Sequence, residues 1–181
     1  MLLIPDTTAS LIAKSDANVN SFQVSLKRGQ GEGISVTVSG AGASARLIGQ
    51  LVFELVNIES SQTYKILREQ HGIGAGVSDF WSWLSVSSHV SDNKEKLDEM
   101  FHELSHSQKV KGTAKFDLTV TGLFPGVSVT ASAFISVMQV KTSSGNTINI
   151  ISSKNPKNDT GAQDQDGDKL PISNNDSTIV I

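Results

Sequence analysis

From Ser21 onward the chain alternates. Phe22, Val24 and Leu26 fall on one side and Ser21, Gln23, Ser25 and Lys27 on the other, which is the two-residue period of a half-buried strand. After the glycine-rich segment GQGEG (29–33) the alternation resumes, with Ile34, Val36 and Val38 inward and Ser35, Thr37 and Ser39 outward. The two runs together predict a β-hairpin. Residues 47–58, LIGQLVFELVNI, are apolar on both faces. Their Val, Ile and Phe content favours a central strand over a buried helix. IESSQTYKIL then reads as a polar turn and a return strand carrying Tyr64 and Ile66. Residues 71–89, rich in Gly and Ser, read as a long connection that holds both tryptophans, and long connections often carry function.

Over 92–111 the period changes, and this is the one predicted helix. Leu97, Met100, Phe101 and Leu104 make an apolar stripe at i, i+3, i+4 and i+7, as a helix covering a core requires. Asp92 with Glu95 resembles a capping box, and Gly112 after Lys109 and Lys111 suits a helix end. Alternation then returns. Phe116, Leu118 and Val120 point inward, the turn LFPG follows, and Val127, Val129, Ala131, Ala133, Ile135 and Val137 form an apolar face. Phe134 and Met138 interrupt the polar opposite face, so they are expected to be buried against another layer or another subunit. Residues 22–39 and 116–132 share a Phe-led alternation, a glycine turn and a similar return strand, an internal likeness compatible with pseudo-symmetry.

The fold class that follows is mainly β, with α+β as its variant: a two-layer antiparallel β-sandwich of about seven strands with one amphipathic helix packed on it. Residues 1–152 form the β-rich globular domain. Residues 153–181, dominated by Asn, Asp, Ser, Gln, Lys and Gly, read as a flexible polar tail. The tail ends in a short β-prone tip containing Ile179, Val180 and Ile181.

Composition narrows the function classes. Charged residues make up 18% and the net charge is −3, with no Lys/Arg cluster, which argues against nucleic acid as a partner. There is no cysteine, hence no disulfide framework and no thiolate chemistry. The start, MLLIPDTTASLIAK, lacks a basic region before its apolar run and makes a poor secretory signal. No apolar run reaches the roughly 20 residues of a spanning helix. Localisation is therefore unknown, with cytoplasmic synthesis as the default expectation.

One stretch suggests chemistry. MFHELSH contains H-E-x-x-H, in which His102 and His106, one helical turn apart, could ligate zinc while Glu103 acts as general base. A third ligand is missing at the expected spacing, since positions 109 and 112 are Lys and Gly and no Glu follows Glu103. On the helical wheel both histidines lie opposite the apolar stripe, among Glu95, Asp98 and Glu99, a solvated setting. Asp164, Asp166 and Asp168 alternate as in a calcium loop but lack its closing Glu. No cofactor is expected on balance, with zinc or calcium as lesser readings.

The aromatic cluster Phe80, Trp81, Trp83 and Leu84 could close the core or anchor a membrane or glycan surface. The leading expectation is a non-enzymatic, self-assembling structural subunit whose partners are copies of itself. It would associate through strand edges, the outer-face residues Phe134 and Met138, and the tip at 179–181. Membrane or glycan binding through the aromatic segment is the alternative, and a zinc-dependent hydrolase is the second alternative.

Overall fold

A computed structural model describes residues 11–31, 34–39, 44–122, 128–152 and 156–181, with the backbone only for 11–17 and 39. The first ten residues, Glu32 and Gly33 of the GQGEG segment, most of GAGAS (40–43), the LFPG turn with Val127, and residues 153–155 lie outside the described residues. The order is β1 (Leu11–Val19), β2 (Phe22–Gly29), β3 (Val36–Ser39), β4 (Ala45–Asn57), α1 (Gln62–His71), α2 (Val77–Leu84), α3 (Ser87–Asp92), α4 (Lys94–Ser105), β5 (Val110–Val120), β6 (Ser128–Thr142), β7 (Thr147–Ile151), α5 (Pro156–Asp159), β8 (Thr160–Gln163), β9 (Lys169–Leu170), β10 (Ile172–Asn175) and β11 (Thr178–Val180). The chain is mostly β, with 47% strand and 29% helix, so strand dominates as expected but far more than one helix is present.

The strands join in one mixed, open sheet whose main path runs β1-β2-β6-β7-β4-β5-β10. Uniformly antiparallel pairing fails at one point: β4 and β7 run parallel, through Val56↔Ile150 and Asn57↔Ile151. The sheet is organised on β6. Its alternate side chains face opposite ways, and both faces are buried. Ala131, Ala133, Ile135 and Val137 join Leu47, Leu51, Phe53, Phe116 and Leu118 of β4 and β5 in one cluster. Met138 and Val140 face a second cluster with Tyr64, Leu67, Phe80, Leu97 and Phe101 of the helices. The expectation that Met138 meets another subunit is thus corrected, because the helical layer of the same chain covers it.

Neither predicted hairpin forms. β2 pairs with β6 from Phe22↔Thr142 to Gly29↔Ile135, and β3 follows along the same strand from Val36↔Ala131 to Ser39↔Ser128. β5 pairs with β4 over Ala45↔Val120 to Leu55↔Val110, and with β10 and β11, rather than laddering with β6. The resemblance between residues 22–39 and 116–132 is therefore a shared strand period, which any half-buried strand shows, and not a repeated hairpin. Tight turns instead join β1 to β2 at Asn20, with φ 47° between Val19↔Phe22, a left-handed conformation that Asn tolerates, and β6 to β7 at Gly145.

The expected return strand at Tyr64 and Ile66 is helix α1. Ser61 caps it by accepting from the Tyr64 N–H at 3.0 Å, and Gly72 ends it at φ 62°. Tyr64 and Leu67, three apart, are buried on one helical face, whereas Ile66 is 54% exposed. A strand would have put Tyr64 and Ile66 on the same face, so burial decides for the helix. The 71–89 connection is likewise mostly helix, as α2 and α3. α4 buries its predicted stripe of Leu97, Met100, Phe101 and Leu104. It spans 94–105 rather than 92–111, with Asn93 at its start and Gly112 inside β5 against Leu55.

Residues 156–181 are not a flexible tail. β8 pairs with β6 (Ala133↔Ala162), and β10 and β11 pair with β5. Composition misleads here because several polar side chains find individual partners, although Asp159 Oδ2 and Gln163 Nε2 do not among the described residues. Arg28 donates to Gln163 Oε1 at 3.0 Å, Asn175 to Thr160 Oγ1 at 2.9 Å, and the Asp117 N–H to Ser177 Oγ at 3.0 Å. Buried polar groups with partners, together with backbone pairing to an existing edge, replace the apolar content that the segment lacks.

Candidate functional site

Among the described residues an open cleft lies between α4 and the turn joining β6 to β7, with a volume of about 640 Å³. Asp98, His102 and His106 come from one wall, Thr142 and Asn146 from the other, and Lys109 from just beyond the helix. Local rules build each wall. The stripe that buries Phe101 and Leu104 turns residues 98, 102 and 106, spaced by four, to the opposite side. Across the cleft, Gly145 at φ 91° allows a tight turn in which its N–H donates to Thr142 O at 3.0 Å. Phe22, which also lines the cleft, packs its ring 5.8 Å from that of Phe101 and ties β2 to α4.

The two imidazoles stand side by side, with ring centroids 4.7 Å apart. His106 Nδ1 lies 2.9 Å from the His102 carbonyl oxygen and 3.2 Å from Ser105 Oγ. Glu103 is on the far side. Its Oε1 accepts from the Ser61 hydroxyl at 3.0 Å and the Thr63 N–H at 3.3 Å, and its Oε2 accepts from the Thr63 hydroxyl at 2.5 Å. Burial opposes its charge, but the bonds from Thr63, Ser61 and the Gln62 N–H outweigh that and hold the carboxyl below its ordinary value. The H-E-x-x-H residues are therefore divided between two jobs: the histidines face the cleft, while the carboxylate caps the start of α1. A general base must reach the metal-bound water, and Glu103 is committed elsewhere.

Replacing Glu103 by alanine is accordingly a stability experiment. It removes the acceptor for the Ser61, Gln62 and Thr63 hydrogen bonds at a helix start and is expected to lower unfolding free energy by about 1–3 kcal/mol in a urea titration. A loss below about 0.5 kcal/mol would contradict the capping role.

The remaining histidines and the acidic groups are dispersed. His71 and His89 flank Trp83, each with its ring centroid 4.9 Å from the indole's, and stand apart from the cleft. Asp117 forms a two-pronged ion pair with Arg46 at 2.9 Å, which holds its carboxyl below the ordinary range. Among the described residues, no group of three or more His, Cys, Asp or Glu side chains could hold a metal ion. The Asp164–Asp168 turn closes on itself: Asp164 Oδ1 accepts from the Asp166 and Asp168 N–H groups, both at 2.9 Å, and Arg28 donates to the Gly167 carbonyl. A guanidinium thus occupies the side of the turn from which a calcium ion would take that carbonyl.

Of the two roles expected for the aromatic segment, burial agrees with closing the core. Phe80, Trp81 and Leu84 are core residues on the inner face of α2, and only Trp83 is half-buried. Val77, Phe80, Trp81 and Leu84 keep the i, i+3, i+4, i+7 spacing. That period is present in the sequence and hidden by the surrounding Gly and Ser. Phe134 is also buried, under the Arg28 guanidinium at 4.5 Å from its ring centroid, so it is not an outer-face residue. Ile179 is half-buried against the cluster formed by β4, β5 and β6, while Val180 and Ile181 are exposed.

Two buried groups have no sequence signal. Asp159, at the end of α5, accepts the Ser78 N–H at 3.1 Å through Oδ1, while its Oδ2 has no hydrogen-bond partner among the described residues. Burial pushes this carboxyl up to about 7. The Tyr64 hydroxyl is also buried without a partner among the described residues, and burial pushes it up to about 12. Both are brought inside by long-range packing, which no local pattern records.

No protein-family model matches the chain, and no curated protein sequence is similar to it. No described helix is long and apolar enough to cross a membrane.

Proposed function

We propose that the protein is a non-enzymatic subunit that associates with copies of itself through the edge of β11 and the outer face of the β4-β5-β11 ladder. The observation that carries this reading is the edge strand β11, which is short at three residues but lacks the other usual guards. Edge strands are normally protected by Lys, Pro, a bulge or extreme shortness. β11 and its flanks, Ser177 to Ile181, contain neither Lys nor Pro, and β11 keeps an unshifted register with β5. β10, by contrast, shifts register between Ile172 and Asn174.

Apolar side chains accompany that edge. The register places Val52, Thr113 and Val180 in one row across three strands, so they share a face. Val52 is 37% exposed, Val180 52%, Ile181 47%, and Ile48, on the face of Val52, 58%. The charges around them come in both signs, with Arg46 paired to Asp117 and Lys109 near Glu54. A second copy placed in the opposite orientation would meet complementary charge, as a two-fold interface requires. The cluster drawn from β4, β5 and β6 supports a two-layer arrangement in which this outer face remains for association.

Sedimentation velocity over a concentration series tests the proposal. The expected result is a mass that rises with concentration and a self-affinity weakened by roughly tenfold or more in Val180→Lys, about 1.4 kcal/mol, with an unchanged circular dichroism spectrum. A strictly monomeric wild-type protein at about 0.5 mM, a concentration that would populate even millimolar association, overturns it.

A further inference from the structure

We propose that His102 and His106 form a two-imidazole site for a borderline-soft divalent cation such as zinc, with the remaining coordination positions open to the cleft. This is a separate inference from self-association and from the hydrolase reading, since Glu103 takes no part in it.

Four features of the cleft point to a cation. The first is spacing: on one helix face, with ring centroids 4.7 Å apart, two imidazole nitrogens can each approach one ion to the usual distance of about 2.0–2.1 Å. The second is tautomer. His106 Nδ1 lies 2.9 Å from the His102 carbonyl, an oxygen that can only accept. Nδ1 therefore carries the proton and Nε2 keeps its lone pair, and a backbone carbonyl holding the non-ligating nitrogen in this way is the usual support for a metal-binding histidine.

The third is the electrostatic setting. His106 is the C-terminal cap of α4, and the carbonyls at a helix C-terminus carry partial negative charge that favours a cation. Asp98, one turn before His102, lines the same cleft and adds a negative charge on the histidines' own face of the helix, against the Lys109 ammonium that also lines the cleft. The fourth is room. The cleft of about 640 Å³ is walled by hydroxyl and amide side chains, including Ser21, Thr142 and Asn146, so water or a small ligand can complete the coordination of the ion. Imidazole pairs select zinc, copper or nickel over magnesium or calcium, which prefer oxygen ligands.

The test is calorimetric titration of the untagged full chain with zinc, and in parallel with magnesium. One zinc per chain is expected, with no magnesium binding at equal concentration. His102→Ala and His106→Ala should each weaken zinc binding by at least roughly 10- to 100-fold, the scale of disturbing a metal's coordination shell. His71→Ala and His89→Ala, which alter the other two of the chain's four histidines, should leave it unchanged, and Asp98→Asn should weaken it only a few-fold. Circular dichroism melts in the absence of metal confirm that each variant folds. An affinity weaker than about 0.1 mM, or about 5.5 kcal/mol, would mean adventitious chelation only and overturns the proposal. So does equal loss in the His89 variant, no loss in the His102 variant, or binding of magnesium as tight as that of zinc.

Discussion

Phe101→Ala is expected to destabilise the protein by about 3–5 kcal/mol, the usual result of removing a buried phenyl ring. Phe101 is fully buried. It lies on the stripe of α4 with Leu97, Met100 and Leu104, and its ring packs 5.8 Å from Phe22 of β2. Loss of the ring leaves a void where the helical layer meets the sheet, bordered by residues that are themselves buried. Because domains of this size are stable by only about 5–15 kcal/mol, the variant should lose a large share of its stability in a urea titration. The neighbouring substitution His102→Ala supplies the contrast. His102 is exposed in the cleft, and in the absence of metal its replacement should change stability by no more than about 0.5 kcal/mol. Comparable losses at the two positions would mean that the helix does not present its Leu/Met/Phe face to the core.

Stability should also fall as pH rises from about 4 to about 7, because of Asp159. Its carboxyl is raised from an ordinary 3.8 to about 7 by burial, against the opposing hydrogen bonds from the Ser78 and Val77 N–H groups. Between those two values the native state holds a proton that the unfolded chain has released. The sign follows from linkage: where the native state binds more protons, stability declines with pH. The contribution is greatest below pH 3.8, shrinks through the interval, and levels off above about 7. The gap corresponds to up to about 4 kcal/mol. Asp159→Asn keeps an oxygen to accept from Ser78 and removes the charge. It should therefore be more stable than the wild type at pH 8, and urea titrations at pH 5, 6, 7 and 8 should show a flatter profile for it. Glu103 acts in the opposite sense. Held below its ordinary 4.5, it contributes stability that is lost as pH falls through its folded value, and it is common to both proteins, so the difference between them isolates Asp159. Parallel profiles for the two proteins from pH 5 to 8 would show that the Asp159 carboxyl ionises normally.

The legible parts of the fold are those in which one local period meets no competitor. The alternation of Phe116, Leu118 and Val120 and the stripe of α4 can be read directly, because each names a buried face without reference to its partner. Other parts mislead for identifiable reasons. Tyr64 and Ile66 suggest a strand until the helical pair Tyr64 and Leu67 is weighed together with the Ser61 cap. Val77, Phe80, Trp81 and Leu84 carry a helical period inside a Gly/Ser-rich segment. The order of residues 156–181 has no local signature, since its polar side chains find partners as remote as Arg28 and Asp117. The site shows the same division. The spacing of His102 and His106 is visible and leads to the cleft, whereas the direction of Glu103 depends on Ser61 and Thr63, about forty residues earlier in the chain.

By itself, then, the sequence determined which side chains share a face: the alternating positions of β2, β5 and β6, and the stripe of α4. These follow from backbone geometry, which repeats every 2 residues in a strand and about every 3.6 in a helix whatever the surroundings. Only the tertiary structure decided which faces meet. It placed Met138 under the helices, Phe134 under Arg28, β11 on β5 and Glu103 on α1. The physical reason is that burial and hydrogen bonding are satisfied between segments far apart in the chain, and many pairings satisfy the same local pattern. Choosing among them requires most buried polar groups and the apolar faces to find partners at once.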